Sequence, residues 1–316
     1  MARPRLTERF QAALSCSVVL VSAPAGYGKT TLVSDWAGQF KKQCPTAWLS
    51  LDEGDNDPVR FWDYFIAALR TLKTAAGETS LTLLHSSQPY PTEAVLTALI
   101  NDLSGIPHDF AVVLDDYHVI KAEDIQLGIT FLLEHLPPKM HVVIATRTDP
   151  PLGLAHFRGH GTILEIGADD LRFTVTETAG LLREMINVKL SAEDISALNA
   201  RTEGWAVGLK MAALSIGKQT DIPGFIATFT GSQRYVMDYL IEEVMRQQSP
   251  QVQDFLLKTS VLDRLAAPLC DFVTEHSGGR EMLVKLEQSN LFLIPMDEER
   301  RWYRYHHLFA DLLRQR

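Results

Sequence analysis

Long apolar runs, clustered cysteines and an excess of positive charge are all missing from this sequence. No uninterrupted apolar stretch approaches membrane-spanning length, so neither a spanning helix nor a membrane partner is expected. The opening Met1-Ala2-Arg3-Pro4-Arg5-Leu6 carries basic residues without an apolar core behind them, and a secretory signal is not expected either. Three cysteines, Cys16, Cys44 and Cys270, lie far apart, with no Cys-x-x-Cys and no histidine spacing suited to zinc. An odd, scattered set points to reduced thiols in a cytoplasmic protein. A net charge of −9 argues against a broad nucleic-acid footprint. Internal repeats and low-complexity segments are absent as well.

What is present is an ordinary globular composition. The 316 residues, 46% hydrophobic and 22% charged, suffice for two or three domains. Through the first half, short apolar runs alternate with helical patterns. The strand-like runs are Val18–Val21, Ala47–Leu51, Ala111–Leu114, Val142–Ala145 and Ile163–Ile166. Between them lie helical stretches at Thr30–Phe40, Val59–Leu72, Thr92–Leu103 and Asp124–Leu136. This alternation predicts an α/β domain whose parallel sheet is covered on both faces. From about Thr174 the strands nearly vanish. Helical patterns at Thr176–Met185, Ala192–Ala200, Gly208–Ser215, Tyr235–Gln247, Val252–Thr259 and Met282–Glu287 lead to a hairpin, Leu291–Ile294 with Trp302–Tyr305. A last helix follows at Leu308–Leu313, and the whole region reads as helices ending in a winged-helix unit.

Ala23-Pro24-Ala25-Gly26-Tyr27-Gly28-Lys29-Thr30 follows the first apolar run and precedes a helix. Strand, glycine-bearing loop and helix opening at Lys-Thr is the layout of a phosphate-binding P-loop. Its amides converge on phosphate oxygens, Lys29 reaches the β- and γ-phosphates, and the Thr30 hydroxyl ligates Mg²⁺. The first glycine of the usual pattern is replaced by Ala23, which fits only where that residue avoids a positive φ.

The run Ala111–Leu114 ends in Asp115 and Asp116. Ligands of parallel α/β sheets sit at the carboxyl ends of strands, which places Asp115 to hold Mg²⁺ opposite Thr30. Asp116 is either the residue that polarises an attacking water or the start of a turn. Val142–Ala145 ends in Thr146 and Arg147, aimed at the γ-phosphate if that strand lies beside the Asp115 strand. Asp52, Glu53, Asp55 and Asp57 lack the spacing of a calcium loop and read as a solvated loop ending in a helix cap. Trp36, Trp48, Phe61, Trp62 and Tyr64 read as core. His306 and His307 are adjacent, so one metal ion could hardly use both.

Taken in order, these motifs carry a resemblance over nearly the whole chain. Arg3-Pro4-Arg5-Leu6, Ala23–Thr30, Trp48–Pro58, Leu114-Asp115-Asp116-Tyr117-His118, Thr146–Leu152, Leu171-Arg172-Phe173-Thr174 and Tyr305-His306-His307-Leu308-Phe309 resemble the MalT-like, LuxR-type regulators. These belong to the STAND class of signal-transduction P-loop ATPases. The resemblance implies a nucleotide-binding domain over 1–170, a small helical domain over 171–230 and a winged-helix domain over 231–316. It implies ATP or ADP with Mg²⁺ as ligands. ADP would hold a closed resting monomer. ATP with a small-molecule or protein inducer would favour an open, self-associating state that activates transcription.

Residue by residue, Ala25, Gly26, Tyr27, Gly28, Lys29, Thr30 and Thr31 match the phosphate cradle. Thr30 and Asp115 match the Mg²⁺ site, Arg147 the sensor arginine, and His306 the histidine turned towards the ADP β-phosphate. Pro4, Arg5 and Leu6 would line the adenine pocket. Lys29, Asp115, Asp116 and Arg147 would serve a weak, slow ATPase. The stretch Gly204-Trp205-Ala206-Val207-Gly208-Leu209 lacks the proline that related proteins pack on adenine.

Family members continue into a repeat sensor and a DNA-binding helix-turn-helix, so the stop at Arg316 is expected to be that of a fragment. DNA is expected as a partner only through that further domain. Residues 231–316 hold 11 basic and 13 acidic side chains, which is no basic stripe. An AAA+-like machine doing mechanical work is the rival reading. It calls for Glu beside Asp115, where this chain has Asp116.

Overall fold

The computed structural model describes residues 3–73, 75–86, 92–186, 188–217, 219 and 221–316. The chain forms two compact units. One comprises Pro4–Ser22 and Lys29–Gly167; the other holds Ala23–Gly28, Ala168–Arg316 and, at the N-terminal end, Arg3.

The first unit is built on five parallel strands: β1 (Val18–Ser22), β2 (Thr46–Ser50), β3 (Phe110–Asp115), β4 (Met140–Thr146) and β5 (Ile163–Ile166). Their order is β2-β3-β4-β1-β5. β3 and β4 are buried along their whole length, as their apolar stretches Ala111–Leu114 and Val142–Ala145 require when helices cover both faces. Because β4 lies between β1 and β3, Thr146 emerges in register with Ser22 on one side, while Asp115 ends the strand on the other.

Helices Lys29–Phe40, Pro58–Arg70, Thr92–Ser104 and Glu123–Glu134 fall where the periodicity predicts them. Helices Pro4–Gln11, Glu78–Ser86 and Ala155–His160 are additions to that reading. The acidic cluster after β2 works as two caps. Asp52 caps the turn Glu53–Asn56, and Asp57 accepts the Arg60 amide at 2.9 Å in front of Pro58. Phe61, Trp62 and Phe65 are fully buried, with Phe61 and Trp62 edge-to-face at 5.0 Å. Tyr64, expected in the core, is 48% exposed because it falls on the outer face of the helix that buries Phe61, Trp62, Phe65 and Ile66. Trp48 is only half-buried and donates its indole N–H to Ser50 Oγ.

The second unit is helical up to its last segment. Thr174 with Glu177, and Ser191 with Asp194, form capping boxes that open helices Val175–Met185 and Ala192–Thr202. Helix Ala206–Ile216 follows, then Ile222–Thr228 and Arg234–Leu240. The last was expected to run to Gln247, but its continuation Ile241–Met245 is a π-helical turn. Pro250–Thr259, Ala267–Thr274 and Gly279–Gln288 precede an antiparallel pair, β6 (Leu293–Pro295) and β7 (Tyr303–Tyr305), and helix His307–Arg314 closes the unit. This is winged-helix architecture. The hairpin is shorter than expected because Phe292 takes a positive φ of 53°, which ends the extended run before Leu293. No helix among the described residues is long and apolar enough to cross a membrane.

Candidate functional site: a phosphate-binding loop and its neighbours

At the carboxyl edge of the sheet, the first unit gathers Lys29, Thr30, Asp115, Asp116 and Arg147. Thr30 Oγ1 donates to Asp115 Oδ1 at 3.0 Å, and the Asp116 amide donates to the same oxygen at 3.1 Å. Asp115 is buried, and burial pushes its carboxyl above the usual range, partly offset by the Thr30 bond. Lys29 is buried too. Burial, then the nearby Arg147 charge, lowers its pKa to about 8 against the pull of Asp116 and Asp115.

Asp116 opens the turn Tyr117–Val119 in a left-handed conformation (φ 57°), with its side chain 45% exposed. His118, which the motif reading left without a role, lies with Nδ1 3.7 Å from Asp116 Oδ1. Burial and Arg147 hold that imidazole at about 4, so it is neutral at pH 7. Thr146 is engaged locally: its hydroxyl donates to the Thr148 carbonyl at 2.8 Å. Thr31, Pro4 and Arg5 are exposed, whereas Leu6 is buried.

The chemistry of this group is specific. Burial disfavours the carboxylate of Asp115 and the ammonium of Lys29 alike. A divalent cation beside Asp115 and Thr30 would restore the first, and phosphate oxygens beside Lys29 and Arg147 would restore the second. Among the described residues, no group of three or more His, Cys, Asp or Glu is arranged to hold a metal ion. Mg²⁺ suits such a sparse site, because it keeps several waters and takes remaining ligands from phosphate.

The loop itself, Ala23–Gly28, packs within the second unit. Gly26 and Gly28 take positive φ angles of 76° and 85°, and Ala23 is not among the positive-φ residues, so its methyl group is tolerated. The Trp205 indole N–H donates to the Ala25 carbonyl at 3.0 Å, and the Val207 amide donates to the Gly26 carbonyl at 3.1 Å. Tyr27 is buried with its ring 6.2 Å from Phe292, and burial pushes its hydroxyl up to about 12. A Cβ placed on Gly28 would meet nothing within 4 Å, leaving room beside the last loop peptide.

His306 is completely buried against Trp205 and Phe292, with ring centroids 5.9 and 5.6 Å away. Burial lowers its pKa to about 4, against the opposing influence of Glu203 and the Thr202 carbonyl. The neutral ring donates from Nε2 to Thr202 O at 3.0 Å, which leaves Nδ1 a bare, buried acceptor without a hydrogen-bond partner. Next to it, Glu203 accepts both Arg304 guanidinium nitrogens at 2.8 Å and the His307 amide at 2.9 Å. At the N-terminal end, the Arg3 guanidinium donates to the carbonyls of Leu171 and Arg172 and to Glu177, and stacks 4.1 Å over Phe173.

Sheet order, loop and winged helix define the class: a P-loop α/β fold with a parallel sheet, followed by helices and a winged helix. A Walker-type ATPase of Pyrococcus abyssi shares the fold with a TM-score of 0.68 at 14% identity, over 99% of this chain and 95% of that one. A STAND protein with a tetratricopeptide repeat sensor from Pyrococcus horikoshii matches all of this chain and 42% of its own, with a TM-score of 0.51 at 17% identity. Residues 241–316 match the MalT winged helix domain family. The HTH-type transcriptional regulator MalT of Klebsiella pneumoniae is 34% identical over 318 residues, and that of Serratia proteamaculans 34% over 316. These matches take in 100% and 99% of this chain. Over its whole length the chain is therefore similar to the N-terminal part of these MalT proteins. It spans 35% of the length of these curated relatives.

Proposed function

We propose that this chain is the ATP/ADP-binding switch module of a STAND-class transcription regulator, with the parts 1–170, 171–230 and 231–316 acting as nucleotide-binding, helical and winged-helix domains. The observation that carries the reading is the Thr30–Asp115 hydrogen bond beside a buried Lys29, at the carboxyl end of a parallel sheet. Lys29 and the loop amides would hold the β- and γ-phosphates, and Thr30 with Asp115 would hold Mg²⁺. Arg147 would sense the γ-phosphate. Asp116, half in solvent and beside neutral His118, would orient a water in a slow ATPase. Bound Mg²⁺ supplies charge neutralisation on the phosphates.

His306 supports an ADP-holding role through its buried, partnerless Nδ1. A phosphate oxygen approaching that atom needs a donor, so the ring has to gain a proton; the anion raises the imidazole pKa and favours that gain. Magnitudes limit what His306 does alone. One hydrogen bond to a charged group contributes about 1.5–3 kcal/mol. Moving a two-state equilibrium from 1:99 to 99:1 takes about 5.5 kcal/mol. Packing among the domains, and a sensor in the whole regulator, would provide the rest. In this reading ADP holds a resting state, ATP with inducer favours self-association, hydrolysis resets the switch, and DNA is read by a separate domain.

The test is calorimetric titration of the purified chain with ADP and ATP in Mg²⁺. Binding by the wild type and its loss in Lys29→Ala are expected. Equal binding by both proteins would remove the P-loop from the account.

A further inference from the structure

Trp205 and Val207 grip the phosphate loop by its carbonyl oxygens, and the direction of that grip has a chemical consequence. A trans peptide is planar, so the C=O of one residue and the N–H of the next point to opposite sides. The Trp205 indole holds the Ala25 oxygen at 3.0 Å and the Val207 amide holds the Gly26 oxygen at 3.1 Å. The N–H groups of Gly26 and Tyr27 are thereby turned away from the 205–207 segment.

We infer that Trp205 and Val207 are positioning residues for the phosphate-binding loop: by fixing two carbonyls they aim the amides of Gly26 and Tyr27 at the nucleotide phosphates. The inference rests on the nucleotide-binding reading above and adds to it the side chain and amide that preorganise the donors.

Three observations support it. Trp205 is fully buried, and its indole N–H, which burial would otherwise leave costly, is spent on a main-chain carbonyl of the loop. Gly26 is required by the same approach: a Cβ there would lie 2.7 Å from Val207 Cγ2 and 2.9 Å from Trp205 Nε1, besides the strain of its positive φ. Tyr27 adds a third anchor, buried with its ring against Phe292, which itself packs edge-to-face on Trp205 at 5.2 Å. A loop held at three successive residues loses little further freedom when an anion arrives, which is what preorganised donors require. The missing proline of the 204–209 stretch therefore does not leave this segment idle. It addresses the loop backbone instead.

The experiment uses the purified chain, Trp205→Phe and Lys29→Ala. Trp205→Phe keeps an aromatic ring at the buried position while removing the indole donor together with one ring of the bicycle. ADP and ATP affinities are measured by calorimetry, and the Trp205 indole N–H is followed in ¹⁵N spectra, assigned by its disappearance in Trp205→Phe. The expected result is a roughly two- to tenfold loss of affinity for both nucleotides in Trp205→Phe, the range of one lost neutral hydrogen bond. The wild-type indole resonance should also shift on saturation with ADP. Wild-type affinity in Trp205→Phe, or an indole resonance unmoved by bound ADP, overturns the inference. Absence of nucleotide binding by the wild type, or undiminished binding by Lys29→Ala, brings down the nucleotide-binding reading instead. Should Trp205→Phe not fold, hydrogen exchange at the Val207 amide of the wild type carries the same test. Saturating ADP slows it if the grip supports the bound loop, and unchanged exchange contradicts the grip.

Discussion

Replacing Glu203 by Gln should loosen the junction between helix Ala192–Thr202 and the turn that carries His306. The carboxylate is nearly enclosed, with its side chain 7% exposed, and it accepts two nitrogens of Arg304 and the amide of His307. Burial alone would raise its pKa, but Arg304, the nearby His306 and the His307 amide outweigh burial and bring it from 4.5 down to about 2. At 1.36 kcal/mol per tenfold change in proton affinity, the charged form is favoured over the neutral one by about 3 kcal/mol. Gln mimics the neutral carboxyl in shape and charge, so Glu203→Gln should cost the local structure about that amount. The folded-state pKa lies below the unfolded one. The stabilisation is therefore complete above about pH 4.5 and is lost as the pH falls through about 2. Residue-resolved hydrogen exchange reads the effect where it arises. At pH 7 the His307 amide should exchange about a hundredfold faster in the variant, as expected for about 3 kcal/mol of local opening. Unchanged exchange would refute the assignment of Glu203 as the charge that holds this junction.

Lys29 titrates at about 8 among Arg147, Asp115 and Asp116, and only its ammonium form attracts phosphate. ADP affinity should accordingly fall by up to about tenfold per pH unit above 8, checked by calorimetry between pH 7 and 9; a flat profile contradicts it. His306→Ala should weaken ADP more than ATP, and equal losses in titrations of both nucleotides would remove His306 from ADP recognition. Wild-type ADP binding should also take up a proton at His306, which faces Glu203, Arg172 and His307. Measured binding heats should then vary with the buffer's ionisation enthalpy, and invariance counts against that protonation. Gly231→Ala would put a Cβ 1.7 Å from the Leu308 carbonyl oxygen, a main-chain atom with little room to yield. A loss of about 2–3 kcal/mol, seen as a lowered thermal midpoint, is expected, and an unchanged midpoint would contradict that packing.

The strands were legible because each is a short apolar run, buried on both faces along β3 and β4, and β1 to β5 fall within a residue or two of the periodic pattern. Their order was not. Nothing local in Val142–Ala145 says that β4 enters between β1 and β3, since pairing is settled by tertiary packing. Helix Pro58–Arg70 announces itself through Asp57 and Pro58, whereas Ala267–Thr274 follows Ala266, which makes no side-chain cap, and carries no comparable sequence signal. Aromatic character alone misplaces Tyr64, because position on the helix face decides its burial. In the site, Lys29, Thr30, Asp115 and Arg147 stood out through motif spacing. Trp205 did not, since its partner is a main-chain carbonyl 180 residues away, and a carbonyl leaves no mark in sequence. His118 stood in a quoted motif, but its burial beside Asp116 is visible only in three dimensions.

The central claim is that the loop Ala23–Gly28, with Lys29 and Thr30, holds an adenine nucleotide as a switch. The most direct measurement is to denature the purified chain and identify by chromatography what it releases. The account predicts ADP in near-stoichiometric amount from the wild type and none from Lys29→Ala. A wild-type protein that releases no nucleotide and takes up neither ADP nor ATP when they are added would contradict it.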